Sequence, residues 1–385
     1  MLNVTIRKND ASSYRTTVLE LPEPENTLAE KLMLIGIGMT LEKNCLVVGI
    51  DGDEGSLQSL CRKCVNADEL QYLARRMNGF DNNELQSFYA VLEAEKPQNL
   101  KDIINLACNL SCYTVVSDFS NLDAVGKMHL ANKHGGMFPP ESVPGQFEAA
   151  AYDLLATKGI VTSHGVVYPS GLPRSMEYNG KQFPAYIDHD YKFAVTILPD
   201  AKSNKSETLF LPCWDVQISK ALMRLGLSER DDAFIEVDEG RFNPKLRRIM
   251  MMDSPILKYL PAFNGLARCY VGFTEKDIAA FEAIVDYAQP STPEEAVCLA
   301  ENYYEFISVP DVHTPEEYAK HVIEDTCRFG AHSELCDYID YKRYGEDHVR
   351  QENGQFTNSV ILRTWEHPQR WSPFSPKTTA RQYAG

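Results

Sequence analysis

Ten cysteines and nine histidines are the residues of this 385-residue chain with the most chemistry to offer. Two cysteine pairs are closely spaced, Cys61/Cys64 in a C-x-x-C arrangement and Cys108/Cys112. Four thiolates suffice for a structural zinc site, and the first pair has ligand spacing. Cys108, however, falls on an apolar helical stretch, where a reduced cysteine behaves as a small buried hydrophobe. The expectation is therefore buried thiols and no metal. The histidines are scattered, and His129/His134 and His313/His321 lack ligand spacing to a third group. They read as solvated or hydrogen-bonded side chains. Asp51/Asp53 and Glu316/Glu317 are carboxylate pairs of a kind that binds Mg²⁺, but Glu316 and Glu317 suit the N-terminus of a helix better. No G-x-S-x-G elbow, H-E-x-x-H helix or P-loop occurs, and Gly36-Ile37-Gly38 lacks the acidic partner of a dinucleotide site. The chain is expected not to be an enzyme and to use no cofactor.

The overall charge excludes further classes. Lys and Arg total 38 against 54 Asp and Glu, a formal net charge of −16. Neither phosphate-backbone binding nor adhesion to anionic membrane fits that sign. The stretch Met1–Asp10 has no apolar signal-like core, and the most apolar run, Leu32–Met39, is far shorter than the roughly 20 residues of a membrane-spanning helix. A cytoplasmic setting with reduced cysteines is expected.

The elements that must carry these residues come twice. Leu73-Ala74-Arg75 recurs as Leu266-Ala267-Arg268, and Gly79-Phe80 as Gly272-Phe273. The same shift of 193 carries Phe88 onto Phe281, Ala90 onto Ala283, Pro97 onto Pro290, Leu106-Ala107 onto Leu299-Ala300 and Asn109 onto Asn302. Nearby shifts align Val4-Thr5-Ile6 with Val195-Thr196-Ile197 and Leu32-Met33 with Leu222-Met223. This is the pattern of a divergent tandem duplication of units about 190 residues long.

Each unit opens with short β-rich runs, Asn3–Arg7 with Val18–Leu21 and Phe193–Leu198 with Thr208–Leu211, which suit a small antiparallel sheet. An amphipathic helix follows, around Leu28–Ile35 and Ile218–Leu225. The middle is helical: Leu70, Leu73, Ala74 and Met77 share one helix face, and so do Leu85, Phe88, Tyr89 and Leu92. Thr292-Pro293-Glu294-Glu295 and Thr314-Pro315-Glu316-Glu317 each supply an N-cap hydroxyl, a proline at the first helical position and a glutamate at the third. Strand-like Gly159–Tyr168 and Gly354–Leu362 close the units. The fold class is α+β. The expected divisions are 1–66 β-rich, 67–118 helical and 119–170 mixed, a linker over 171–190, then 191–260, 261–311 and 312–366 in the same order. An irregular tail, 367–385, follows.

The end of the second unit reads Asp337-Tyr338-Ile339-Asp340-Tyr341-Lys342-Arg343-Tyr344-Gly345-Glu346-Asp347, with Glu316-Glu317-Tyr318-Ala319 and Val322-Ile323-Glu324-Asp325-Thr326 upstream. This resembles the C-terminal part of the ArdA antirestriction proteins, and the Leu-x-x-Leu-Ala-Arg segment with Gly79-Phe80 is similar to the same family. A fainter form of the terminal motif is Phe147–Leu154 in the first unit. The resemblance implies an elongated, acidic protein of mobile elements, built from three small subdomains per unit. Such a protein mimics B-form DNA and occupies the groove of type I restriction-modification enzymes, its protein partner, without binding nucleic acid itself. The implied partner-binding carboxylates are Asp337, Asp340, Glu346, Asp347, Glu316, Glu317, Glu324 and Asp325, with Glu148 and Asp153 in the first unit. An arginine that precedes the last motif aspartate in the family is Glu346 here, and Tyr152 in the first unit. Family units pair head to head, so two tandem units imply an intramolecular pseudo-dimer, packed through their C-terminal subdomains.

Charge sets a condition on this reading. Duplex DNA carries one negative charge per 1.7 Å or so, and a mimic about 100 Å long needs roughly 60 for parity. The chain nets 16, so carboxylates must line one ridge. An alternative is a non-catalytic interaction module that keeps the ArdA-like fold without mimicry, using some of its 19 tyrosines as a contact surface.

Overall fold

The computed structural model describes residues 2–10, 13–52, 55–137, 145–187, 189–237, 244–251, 256–309, 312–325, 338–352, 354–356 and 361–364. The chain forms two compact units: Met1–His189 with Ser219–Gly226, and Asp190–Ile218 with Leu227–Gly385. It is a mixed α and β protein with small antiparallel sheets. Among the described residues, no helix is long and apolar enough to cross a membrane.

Unit 1 begins with β1 (Leu2–Lys8) and β2 (Thr16–Leu21). Helix α1 (Glu25–Leu34) follows, then β3 (Cys45–Asp51) and β4 (Cys64–Val65), in a sheet of order β2-β1-β3-β4. Strict alternation buries Leu2, Val4 and Ile6 on one face, against Leu28 and Leu32 of α1. The helical layer is α2 (Ala67–Asn78), α3 (Asn82–Glu95) and α4 (Leu100–Cys108). Asn66 and Asp81 cap α2 and α3 with capping boxes closed by Glu69 and Glu84. Strand β5 (Tyr113–Val116) leads to the paired helices α5 (Leu122–Lys133) and α6 (Gln146–Leu155), then to β6 (Ile160–Thr162) and β7 (Gly165–Pro169). Their sheet has the order β5-β7-β6.

Unit 2 runs through β8 (Phe193–Leu198), β9 (Glu207–Leu211), α7 (Asp215–Leu225), β10 (Phe234–Val237) and α8 (Pro244–Met250). Residues of α7 from Ser219 onward count with unit 1. Next come α9 (Leu260–Val271), α10 (Glu275–Ala288), α11 (Pro293–Glu301) and β11 (Phe306–Val309). The unit closes with α12 (Pro315–Lys320), α13 (Tyr341–Gln351), β12 (Gly354–Phe356) and β13 (Ile361–Thr364). Its sheets have the orders β10-β8-β9 and β11-β13-β12.

Except that α8 stands where unit 1 has β4, the element order of unit 1 recurs among the described residues of unit 2, and so does fine geometry. Helices α2, α3 and α4 and strand β5 recur as α9, α10, α11 and β11, each displaced by the same 193 positions at both ends. Lys96 and Gln289 end their helices at φ +50° and +48°, the left-handed conformation that stops a helix, and each precedes a proline. A buried amide clamp also recurs. Glu23 N donates to Gln71 Oε1 at 3.2 Å while Gln71 Nε2 donates to Glu23 O. In unit 2, Cys213 N donates to Asn264 Oδ1 and Asn264 Nδ2 to Cys213 O, both at 2.8 Å. Beside each clamp an arginine holds a carboxylate at the start of the next helix: Arg75 with Glu25 at 2.8 Å, and Arg268 with Asp215 at 3.0 Å.

Residues 172–186, inside the segment expected to be a linker, fold back as a strap on the helices of unit 1. Asn109 and Asn105 each grip the strap backbone, through Ser175 and Tyr178, and Leu172, Phe183 and Tyr186 pack on the core. The Tyr72, Phe183 and Tyr178 rings stack in sequence at 5.0 and 4.9 Å. Gly171, Pro173, Gly180 and Pro184 mark this segment as connecting chain in the sequence; its anchors Leu172, Tyr178, Phe183 and Tyr186 make it part of the fold.

Candidate functional site

The family-like residues sit on two helix pairs. In unit 2, Thr314 caps α12: Glu317 N donates to Thr314 Oγ1 at 3.2 Å, and the Glu317 carboxylate accepts from His313 N at 2.8 Å and Thr314 N at 3.1 Å. The backbone N–H of His313, then that of Thr314, hold this carboxyl below its ordinary range. Asp340 caps α13, accepting from Arg343 N at 3.1 Å. Tyr318, Val322 and Val349 form the small core between these elements, with Tyr344 packed against it. Gly345 lets α13 lie against the start of α12, because a Cβ there would be 2.0 Å from the Pro315 carbonyl oxygen. Three of the motif residues, Asp340, Tyr344 and Gly345, therefore have structural work.

The remainder of the motif faces outward. Glu346 and Asp347 are exposed on α13, and Asp347 lies 3.8 Å from Arg350. Tyr338 is 86% exposed. Glu317 is exposed and Glu316 half-buried. Glu324 and Asp325 lie on a π-helical turn, His321–Asp325, and their side chains are outside the described residues, as is all of Asp337.

In unit 1 the corresponding pair is α5 and α6. Ala150, Ala151 and Leu154 of α6 pack inward with Val125 of α5, while Glu148 and Asp153 are exposed. Tyr152, 56% exposed, donates from Oη to Glu148 Oε1 at 3.4 Å. The close approach is made here by Gly126 of α5, where a Cβ would be 1.6 Å from the Phe147 carbonyl oxygen. The glycine thus stands on the first helix of the pair in unit 1 and on the second in unit 2.

One cluster gave no sequence signal. Within unit 1, Lys220 Nζ donates to Glu25 Oε2 at 2.9 Å and to Asp68 Oδ1 at 2.5 Å, and Arg224 lies 4.0 Å from Asp68. Lys220 is only 6% exposed. Burial lowers its pKa, but Asp68 and then Glu25 more than restore it, so the net direction is upward. The amine is held as a cation and is no nucleophile. The partners are up to 195 positions apart, beyond the reach of any local pattern.

Burial also governs several thiols and one imidazole among the described residues. Burial pushes the Cys45 thiol up to about 12 and raises Cys108 and Cys112 as well. Buried His129 faces Thr114 Oγ1 at 3.1 Å, and burial lowers its pKa. Among the described residues no group of three or more His, Cys, Asp or Glu is placed to hold a metal ion. Comparison with models of known protein families and with curated proteins finds no match to this chain.

Proposed function

We propose that the chain is an ArdA-like antirestriction protein, two divergent copies of one unit in tandem, acting without catalysis as an acidic mimic of B-form DNA. Its partner in this reading is a type I restriction-modification enzyme, whose DNA-binding groove it occupies. The observation that carries the reading is the segment Asp340–Asp347. Its cap, its tyrosine and its close-packed glycine build a helix that presents Glu346 and Asp347 to solvent. The faint counterpart on α6 likewise presents Glu148 and Asp153. The constant displacement of α2–α4 and α9–α11, together with the paired amide clamps, supports duplication.

A second reading keeps the fold and drops the mimicry. It is favoured by how many carboxylates have local work: Glu25, Asp68 and Glu69 lie in buried or half-buried networks, Asp81 and Asp340 cap helices, and Asp277 and Glu317 close capping boxes. Exposed Tyr338, Tyr152 and Tyr304 then supply the contact surface. Inhibition assays separate the two. Purified protein should block cleavage or methylation by a type I enzyme, with excess DNA relieving the block. No inhibition across several such enzymes at low salt removes the mimic and leaves the interaction module. In the same preparations light scattering should return 43.5 kDa, one chain carrying both units; a doubled mass overturns that part.

A further inference from the structure

Four Asn-Gly pairs occur in the chain: Asn78-Gly79, Asn179-Gly180, Asn264-Gly265 and Asn353-Gly354. Each sets a side-chain amide next to the least hindered backbone nitrogen, because glycine has no Cβ to block approach. Once deprotonated, that nitrogen can attack the asparagine Cγ and expel ammonia. Local backbone decides which pair reacts. Asn353 lies outside the described residues, which leaves three pairs to compare.

Two of the three are locked in helices. Asn264 is buried in α9, both of its amide atoms are engaged with Cys213, and Gly265 continues the same helix. Asn78 is the last residue of α2, and Gly79 N donates to Arg75 O and Arg76 O, both at 3.2 Å. A nitrogen whose N–H is held by a carbonyl one turn back is neither easily deprotonated nor turned toward the preceding side chain.

Asn179 differs on every count. It is exposed, in irregular backbone of the strap, and Gly180 follows at φ +94°. Among the described residues no acceptor holds Gly180 N. The Asn179 side chain is already folded forward, its Oδ1 accepting from Lys181 N at 2.8 Å and Gln182 N at 2.9 Å. As Gly180 N closes on Cγ, negative charge develops on that oxygen, where two donors are in place to stabilise it.

We propose that Asn179-Gly180 is a self-modification site, at which Asn179 deamidates through a succinimide, in part to isoaspartate. Gly180 N gives its proton to a solvent base and bonds to Cγ. The Cγ–Nδ2 bond breaks, and ammonia leaves with a proton taken from solvent. Water then opens the ring. Opening at Cγ gives aspartate, whose carboxylate can accept from the same two N–H groups. Opening at the main-chain carbonyl gives isoaspartate, which places the Cβ methylene in the backbone. That insertion falls between two fixed rings. Tyr178 is held by Asn105 at its N and O and by Glu69 at its hydroxyl, and Phe183 stacks on it at 4.9 Å and on Tyr72 at 5.0 Å. A longer chain between them must bulge or draw one ring off, so the isoaspartyl strap is looser. This chemistry is independent of what the protein binds.

The full chain tests this when aged at neutral and at mildly alkaline pH in heavy-oxygen water. Peptide mass spectrometry then locates each converted asparagine, and an isoaspartate-specific methyltransferase marks the isomerised product. Asn179 should convert more than tenfold faster than Asn78 or Asn264, faster still at the higher pH, with part of the product isoaspartyl. Trypsin should cut after Lys181 severalfold faster in the aged chain than in the fresh one. Asn179→Gln, whose longer side chain must close a larger ring, should age without that change, its circular dichroism matching the fresh parent. Conversion at Asn179 no faster than at Asn78, or with no isoaspartyl product, overturns the site. Cleavage that stays at the fresh rate, or quickens equally in aged Asn179→Gln, overturns the loosened strap.

Discussion

Gln71 and Asn264 perform one task with side chains of different length: each closes both hydrogen bonds of a backbone amide entering a helix. An apolar replacement leaves a buried N–H and C=O without partners, at about 1–3 kcal/mol each. Gln71→Leu and Asn264→Leu should therefore each cost about 3 kcal/mol in chemical denaturation; a loss below 0.5 kcal/mol or so would mean that water serves the amide as well. Neither residue was legible as a clamp, because a glutamine or asparagine on an apolar helix face has no local signature of its distant partner. Titration can be followed at the same scale. Glu317, Asp277 and Glu295 are all held below the ordinary carboxylate range, each first by a backbone N–H at a helix start. Their contribution is complete above the unfolded pKa and vanishes as pH falls through the folded one. Glu317→Gln keeps the capping partners but has no charge to lose. Its melting temperature should fall less than the parent's between about pH 6 and 3, in the carboxylate range; parallel curves would sink the assignment. Lys220 has the opposite sign. Its raised pKa gives stability that persists through neutral pH and is lost only as pH climbs through the folded value.

Helices were the most legible elements, and their periodicity explains why. Leu70, Leu73 and Ala74 are buried as spaced, and Phe88, Tyr89 and Leu92 likewise. Thr292 and Thr314 both cap as their sequences suggest, though the Glu295 carboxylate reaches past Thr292 to Ser291 N at 2.7 Å. Strand β3 was missed because its run Cys45–Asp51 includes Gly49 and follows polar residues, and β10 because four residues carry little pattern. Close helix contact was also invisible, since a glycine within a helix reads only as a weak position. The structure puts Gly126 and Gly345 where backbone of the partner helix comes too close for a Cβ in α5–α6 and α12–α13. At both sites an alanine methyl meets backbone, which cannot rotate away, so the helices must part. Gly126→Ala and Gly345→Ala should each destabilise by about 1–3 kcal/mol, as overpacking does. Alanine at a solvent-facing helical glycine would instead stabilise, so a gain in stability at either site would refute the close packing.

Charge acts on the whole molecule, and it is the scale at which mimicry and ordinary docking differ most. The chain carries −16 in all, yet the segment 367–385 contributes three positive charges and none negative. Everything before it therefore holds a larger surplus than the total suggests. Lys220, Arg75 and Lys31 pair with Asp68, Glu25 and Glu23, which takes those acids out of play but leaves the net surplus as it was. What remains must act across solvent, where the screening length is about 10 Å at 0.1 M salt. A surface that meets a basic groove through many exposed carboxylates loses affinity as salt rises. DNA itself, with six to ten phosphate contacts, loses roughly 10³–10⁵-fold between about 50 and 200 mM. A protein with discrete carboxylates has no condensed counterion sheath to release, so its dependence should be shallower but still steep. We therefore expect direct binding to a type I enzyme, measured by calorimetry without DNA, to weaken more than tenfold over that interval. Removal of residues 367–385 should strengthen it at low salt, because those cations oppose the groove. Docking through Tyr338, Tyr152 and Tyr304 would bury apolar area whose contribution salt hardly changes. Affinity constant within about twofold across the same interval would thus reject the mimic and select the interaction module.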